Sequence, residues 1–274
     1  MRVTYIALSR CLFILLLLLF GGCSKIIDWK DVWDKQKPNC RIEKIISYSS
    51  WTPTRTGIFS YNQYGDPVSI IFDFTTTGAS NFLFLYDNKH RIKGYLATYP
   101  NNGPETWISG YEFWISYTYD ARDRVISDTS YQGGSIENGV PKVNPYNITY
   151  ANYEYDAVGR IIKVVRYWAG SKNWFYTEDF IYNSDGNLSL YRSSSPYSVN
   201  EVKSESYDNK INFHQTNKVW MFVDRNYSKN NPVSAVQYNS KGLPLKFDIN
   251  PSVYFDFLWQ IELRRADIFY SCGK

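Results

Sequence analysis

Histidine is nearly missing from this 274-residue chain, which contains only His90 and His214. Neither stands in an HxxxH or HExxH setting, and there is no GxSxG, so zinc-dependent and serine-hydrolase chemistries lack their parts. An excess of one charge is lacking too: 30 Lys and Arg face 26 Asp and Glu, a net of +4. That balance gives no electrostatic basis for a nucleic-acid partner. No apolar run reaches the roughly 20 residues of a membrane-spanning helix, and the longest, "CLFILLLLLF" at 11–20, is far shorter. After residue 40 no stretch sustains the i, i+3, i+4 pattern of a long helix. A short helix over 26–36 is the one helical expectation.

Cysteine is scarce as well, and the four that occur separate into two uses. The start combines a basic Arg2, the short apolar run and the small pair Gly21-Gly22 directly before Cys23, which makes a secretory leader. Those last residues resemble the bacterial lipobox, with Phe20 where that motif more often has Leu. Residues 1–22 are then a leader, and Cys23 is the lipidated first residue of the mature chain. A plain signal peptide or an uncleaved anchor is the alternative. Lipid on Cys23 would tether the protein to a membrane, each buried methylene contributing about 0.8 kcal/mol. Loss of Arg2 and Arg10 with the leader leaves 28 basic and 26 acidic residues. The address is a bacterial cell envelope, with the outer membrane expected and either of its faces open.

Cys40 and Cys272 remain, one near each end of the mature chain, in a compartment where disulfides persist. A bond between them is expected, with two buried thiols as the alternative. No CxxC or His cluster accompanies them, so no metal or cofactor is called for.

Against these absences stands an abundance of aromatics: 25 Tyr, 16 Phe and 9 Trp make up 18% of the chain. Many belong to a repeat. "YNQYGDPVSI" begins at Tyr61, "YDNKHRIKGY" at Tyr86, "YDARDRVISD" at Tyr119 and "YDAVGRIIKV" at Tyr155. "YNSDGNLSLY" at Tyr182, "YDNKINFHQT" at Tyr207 and "YNSKGLPLKF" at Tyr238 continue it, at spacings of 25, 33, 36, 27, 25 and 31 residues. An Asp or Asn opening a turn accepts amide hydrogen bonds from residues just ahead of it. Glycine supplies the positive φ that closes the loop, in the slot held by Gly65, Gly159, Gly186 and Gly242. His90 and Asp123 take that slot in two copies, and both residue types visit the left-handed region more than most. Asp87, Asp120 and Asp156 are therefore turn-formers first.

The flanks alternate with period two, as in Val68, Ile70, Phe72, Phe74 and in Tyr111, Phe113, Ile115, Tyr117, which is the strand signal. Seven hairpins predict an all-β chain, a large antiparallel meander of about 14 strands over residues 40–274 after a linker at 23–39. A meander that long must deal with its edges, and closing or nearly closing into a barrel removes them. Charge at Lys163, Glu178 and Asp73 on candidate outer faces argues for a soluble barrel over a membrane one.

The lipobox, the "NCRIEKI" start, the YD-type turns and "SKNNPVSAVQYNSKGLPLKF" resemble a family of uncharacterised Bacteroidota lipoproteins of unknown function, across about residues 40–274. That resemblance implies a porin-like β-barrel domain. The chain is also similar, more distantly, to YD/Rhs repeats, which form spiralling sheets and have been linked to carbohydrate binding. Neither resemblance implies a catalytic residue.

Other candidate chemistry is thin. Glycoside hydrolysis needs two carboxyls roughly 5 to 10 Å apart, whereas Asp87, Asp120, Asp156 and Asp208 sit at hairpin starts. Asn183, Asp185 and Asn187 resemble part of a calcium loop that lacks its closing Glu. Trp51, Trp107, Trp168 and Trp174, with Tyr99, fall in or beside loops, where aromatic faces can hold a sugar or peptide. The expectation is a lipid-anchored, non-catalytic envelope protein, binding or structural, with glycan as the lead ligand. A glycan-processing enzyme with paired carboxylates and a carrier of an apolar ligand inside the barrel are the alternatives. Replacing Cys23 by Ser should release the protein from the detergent phase on partitioning; unchanged partitioning would refute lipidation at that residue.

Overall fold

The computed structural model describes residues 38–48, 53–76, 78–99, 110–138, 140–171, 173–204, 206–233, 235–249, 256–258 and 260–273. Cys23, Trp51 and Trp107, together with the helix expected over 26–36, lie outside the described residues. Lys37–Lys274 form one compact unit.

The meander is real. It begins with β1 (Cys40–Ser47), β2 (Arg55–Tyr61), β3 (Pro67–Phe72), β4 (Asn81–Tyr86), β5 (Ile92–Thr98), β6 (Tyr111–Tyr119) and β7 (Val125–Gly134). A small hairpin, β8 (Ile136–Glu137) with β9 (Val140–Pro141), interrupts it. It resumes through β10 (Ile148–Tyr155), β11 (Ile161–Trp168), β12 (Trp174–Tyr182), β13 (Leu188–Ser195) and β14 (Ser198–Lys203). A 3-10 turn (Phe213–Thr216) and a helix, α1 (Lys218–Val223), follow. The chain then returns through β15 (Gln237–Tyr238), β16 (Pro244–Asp248), the two-stranded β17 (Asp256–Phe257) and β18 (Ile261–Glu262), and β19 (Arg265–Cys272).

Fifteen of these strands make one antiparallel sheet in the order β14-β13-β12-β11-β10-β7-β6-β5-β4-β3-β2-β1-β19-β16-β15. Closure does not occur. Among the described residues the free edges are β14 and β15, and the sheet curls without becoming a barrel. Cys40 and Cys272 stand opposite each other in the β1–β19 register and are joined by a disulfide across 232 residues of sequence. It joins the first and last strands of the sequence, but β16 and β15 continue the sheet beyond β19, so the bond lies inside the sheet. Loop-closure arithmetic credits so long a ring with roughly 5 kcal/mol, an upper figure.

Packing shows the curl. α1 has only six residues, about 9 Å of helix. Even so, Trp220 meets Phe59 of β2 and Phe84 of β4, while Phe222 meets Tyr117 of β6 and Tyr153 of β10. In a flat sheet β2 and β10 would lie about 29 Å apart, six strand spacings. One short helix can touch both only if the sheet wraps around it. Trp220, Phe213 and Phe257 are fully buried at the centre of the largest core cluster, with Ile42, Ile45, Ile70 and Phe82 around them. Alternation sends Leu83 and Leu96 to the outer face, where they pack with Tyr111 and with Ile136 of the β8–β9 hairpin.

The helical plug corrects the expectation of a seventh hairpin at Tyr207. Its reason is legible: Ile211 occupies the slot that must take positive φ, and a β-branched residue does not adopt that conformation readily. Asp208 still makes its local turn bond, accepting from Lys210 N, but its remaining bonds go to Asn231 and Tyr238. The chain leaves the sheet there and crosses the concave side.

Candidate functional site

Six turns share one geometry. In each, the Asp or Asn donates its own N–H to the carbonyl four residues on, and its side-chain Oδ1 accepts the N–H groups of residues i+2 and i+4. Asp87 does so with Lys89 and Arg91, Asp120 with Arg122 and Arg124, and Asp156 with Val158 and Arg160, all at 2.8–3.0 Å. Asn62, Asn183 and Asn239 repeat the pattern. Residue i+3 has positive φ throughout: 84° at Gly65, 59° at His90, 58° at Asp123, 83° at Gly159, 88° at Gly186 and 79° at Gly242.

The arginine and tyrosine of the motif link each turn to the next. Arg91, Arg124 and Arg160 pair with Oδ2 of their own aspartates. The same guanidiniums lie over the rings of Tyr119, Tyr155 and Tyr182, the tyrosines of the following turns, at 4.2, 5.6 and 4.2 Å. Of the motif's tyrosine hydroxyls, Tyr86 donates backwards to Pro67 O, Tyr119 to Ile92 O and Tyr155 to Val125 O, whereas Tyr182 donates to Arg225 O of the plug segment. In the first three the accepting carbonyl belongs to the first residue of the strand leaving the preceding turn. Both carboxylate oxygens of Asp87, Asp120 and Asp156 are thus occupied by backbone amides and arginine. Asn183 and Asn187, considered as calcium ligands, likewise direct their amide oxygens at backbone N–H groups.

Trp168 and Trp174 bound the β11–β12 hairpin and are 46% and 42% exposed. They do not form one platform. Trp168 stands opposite Thr149, which is buried on the concave side, and stacks on Phe175 at 4.4 Å. Trp174 stands opposite Tyr167, which stands opposite Tyr150. The β11–β12 register shifts between Arg166 and Tyr167, and this shift, against the plain alternation that would put Trp174 with Tyr176 and Glu178, places these three on the outer face. Trp114 and Tyr131, stacked at 4.7 Å, continue the outer aromatics onto β6 and β7, with Tyr131 facing Ile148 one step from Tyr150. The aromatics therefore cross five neighbouring strands, about 19 Å.

The concave side holds polar groups that sequence reasoning missed. Asp128 is buried and accepts from the Tyr153 hydroxyl at 2.5 Å and from Arg166 at 3.0 Å. Glu178 was expected on an outer face. It points inward instead, bonded to Arg225 at 2.6 Å and to the Tyr191 hydroxyl at 3.1 Å. Burial pulls the Arg225 pKa down, but Glu178 first, then Tyr153, Tyr95 and Asp128, outweigh it and hold the guanidinium charged. Burial likewise drives the Tyr153 phenol far up, with Asp128 adding to the effect. His214 places Nδ1 against Asn212 Oδ1 at 2.8 Å and Nε2 against Asp224 Oδ2 at 2.5 Å.

Between β12–β14 and the plug lies a cleft of about 410 Å³ whose lining includes Glu178, Tyr191, His214, Asp224, Arg225 and Asp256. It opens where the sheet fails to close. A six-residue helix leaves too little periodicity to announce itself; the usable signal was Ile211 in the glycine slot.

Asp87 and Asp120 supply a pH test. Burial pulls the Asp87 carboxyl up, but the Arg91 amide, the Arg91 guanidinium and the Lys89 amide together hold it below its usual value. At Asp120 the Arg124 amide lowers it most; burial opposes, while the Arg124 guanidinium and the Arg122 amide add to the lowering. A lowered folded pKa means stability that is present above the usual aspartate value of about 3.9 and lost as pH falls through the folded value. Asn serves the same turn elsewhere in the chain, so Asp87→Asn with Asp120→Asn keeps the amide bonds and removes the titration. Denaturation midpoints followed from pH 5 to pH 2 should fall more steeply in the wild type than in this variant; parallel curves would contradict the assignment.

No protein-family model and no curated protein matches the chain. Among solved structures it has a weak likeness to a YD/Rhs-type protein, in the crystal structure of TcdB2–TccC3. The identity is 14% and the TM-score 0.20, over 69% of this chain and 12% of that one. The chain thus spans about an eighth of that protein's length, at a score too low for a shared overall fold.

Proposed function

We propose that this is a lipid-anchored bacterial cell-envelope protein, of the Bacteroidota lipoprotein type described above, that binds an envelope component without transforming it. Glycan is the lead ligand class. The observation that carries the reading is the outer row Tyr150, Tyr167 and Trp174, paired across β10, β11 and β12 with a register shift before Trp174, and with Tyr150 45% and Trp174 42% exposed. Such rings offer apolar faces with a polar rim, and their spacing of about 5 Å per strand suits a linear chain of sugar rings laid across the sheet. Non-catalytic action is favoured because Asp87, Asp120, Asp156, Asp128 and Glu178 are all committed to amides, arginines or phenols.

One observation favours the enzyme alternative: Glu178, Asp224 and Asp256 line a single cleft. The carrier alternative finds less support, since Trp220, Phe213 and Phe257 occupy the middle of the concave side. Purified envelope polysaccharides offered to the full chain in detergent should bind. Tyr150→Ala with Trp174→Ala should weaken binding about tenfold or more, from two ring contacts of about 1 kcal/mol each, whereas Trp168→Ala, on the other face, should change it little. Full binding by the double variant would refute the outer row, and new reducing ends in the bound polysaccharide would favour the enzyme.

A further inference from the structure

We infer that the cleft at the open edge of the sheet is a second binding site, shaped for a compact uncharged ligand rich in hydroxyls, a single sugar ring, with Arg225 as its central residue. This goes beyond the outer row: Glu178 and Phe180 of β12 face the cleft, while Trp174 of the same strand faces outward.

The first support is backbone geometry. Just past Val223 and the cap residue Asp224, Arg225 has φ 53° and Asn226 N–H bonds to Met221 O, the arrangement in which a left-handed residue closes a helix. Glycine is the usual occupant, because a side chain there is disfavoured. The backbone at 225 favours glycine, yet the residue there is an arginine, whose side chain accepts that conformation at a cost. Its head group is delivered to Glu178, itself only 8% exposed, at the wall of the cleft.

Size and lining are the second support. A volume of about 410 Å³ lies within the range of small-molecule sites. One wall is apolar, with Leu188, Val202 and Val223, and with Phe180 and Tyr191 whose ring centres are 5.5 Å apart. The opposing groups are mostly acceptors: Glu178, Asp224 and Asp256 face the cleft with Arg225 and His214. Three carboxylates turn an anion away. Glu178 is engaged by Arg225 and the Tyr191 hydroxyl, and Asp224 by His214 and the Leu258 amide, so neither carboxylate is free to hold a cation. A ligand that brings hydroxyl donors on its edge and a C–H face for the rings satisfies both walls.

Saturation-transfer NMR on the full chain in detergent, with glucose, galactose, N-acetylglucosamine, glucosamine and glucuronate as probes, tests this. At least one neutral sugar should receive transfer. Its affinity should fall tenfold or more in Val202→Trp, which fills the cleft from the edge strand. The same loss is expected in Arg225→Gly with Glu178→Gln, which removes both charges together and gives position 225 its preferred residue. An oligosaccharide ending in the bound ring then tells a chain end, which should bind at least as well, from a free sugar, which alone would fit a closed pocket; either result keeps the site. Transfer to charged sugars only, or to none, would overturn the proposal. So would binding that survives Val202→Trp, or that follows Tyr150 and Trp174, because the sugar would then sit on the outer row.

Discussion

Everything in this fold hangs on one small interaction, an Asp or Asn side-chain oxygen that accepts two backbone N–H groups across a hairpin turn. Without it each turn would leave amides at i+2 and i+4 without a protein partner and the strand direction poorly set. With it, six turns acquire one shape, and the Tyr-Asp-x-x-Gly-Arg sequence becomes a connector as well as a corner. Asp87 holds its own Arg91, Arg91 lies over Tyr119 of the next turn, and the Tyr119 hydroxyl returns to Ile92, the first residue of the strand leaving the Asp87 turn. Adjacent hairpins are thereby fastened at their tips in addition to their backbone ladders.

A column of equivalent tips would by itself produce a long sheet with a bare concave face. The departure at Tyr207 supplies what that face needs. Ile211 cannot make the turn, the chain leaves the sheet, and Phe213 and Trp220 fill the space around which the sheet bends. Because the plug is short, it fills the β1–β6 part of the concavity with apolar side chains and leaves the β12–β14 part to Glu178, Arg225 and their neighbours. Core and cleft are two ends of the same inserted segment.

The legible part of the structure was the part written in residue pairs close in sequence. Asp156 with Gly159, and His90 and Asp123 standing in for glycine, each specify a turn within five residues, so the turns and the strand class could be read directly. The long-range parts depended on which strands meet. Cys40 and Cys272 were correctly paired, yet a bond between terminal strands does not say that those strands lie at the edges of the sheet, and β15 and β16 lie beyond them. Glu178 looked like an outward charge because its partner Arg225 is 47 residues away on a segment with no helical signature. Trp168 and Trp174 looked equivalent because both flank one hairpin, and only the register separates their faces.

The most direct test of the ladder is a double-mutant cycle between Arg91 and the ring of the following turn, using Arg91→Met and Tyr119→Leu and reading unfolding free energies. A guanidinium 4.2 Å from the ring centre predicts a favourable coupling that exceeds the roughly 0.3–0.5 kcal/mol scatter of independent sites. Simple additivity of the two substitutions would contradict the claim that the motif fastens one hairpin to the next.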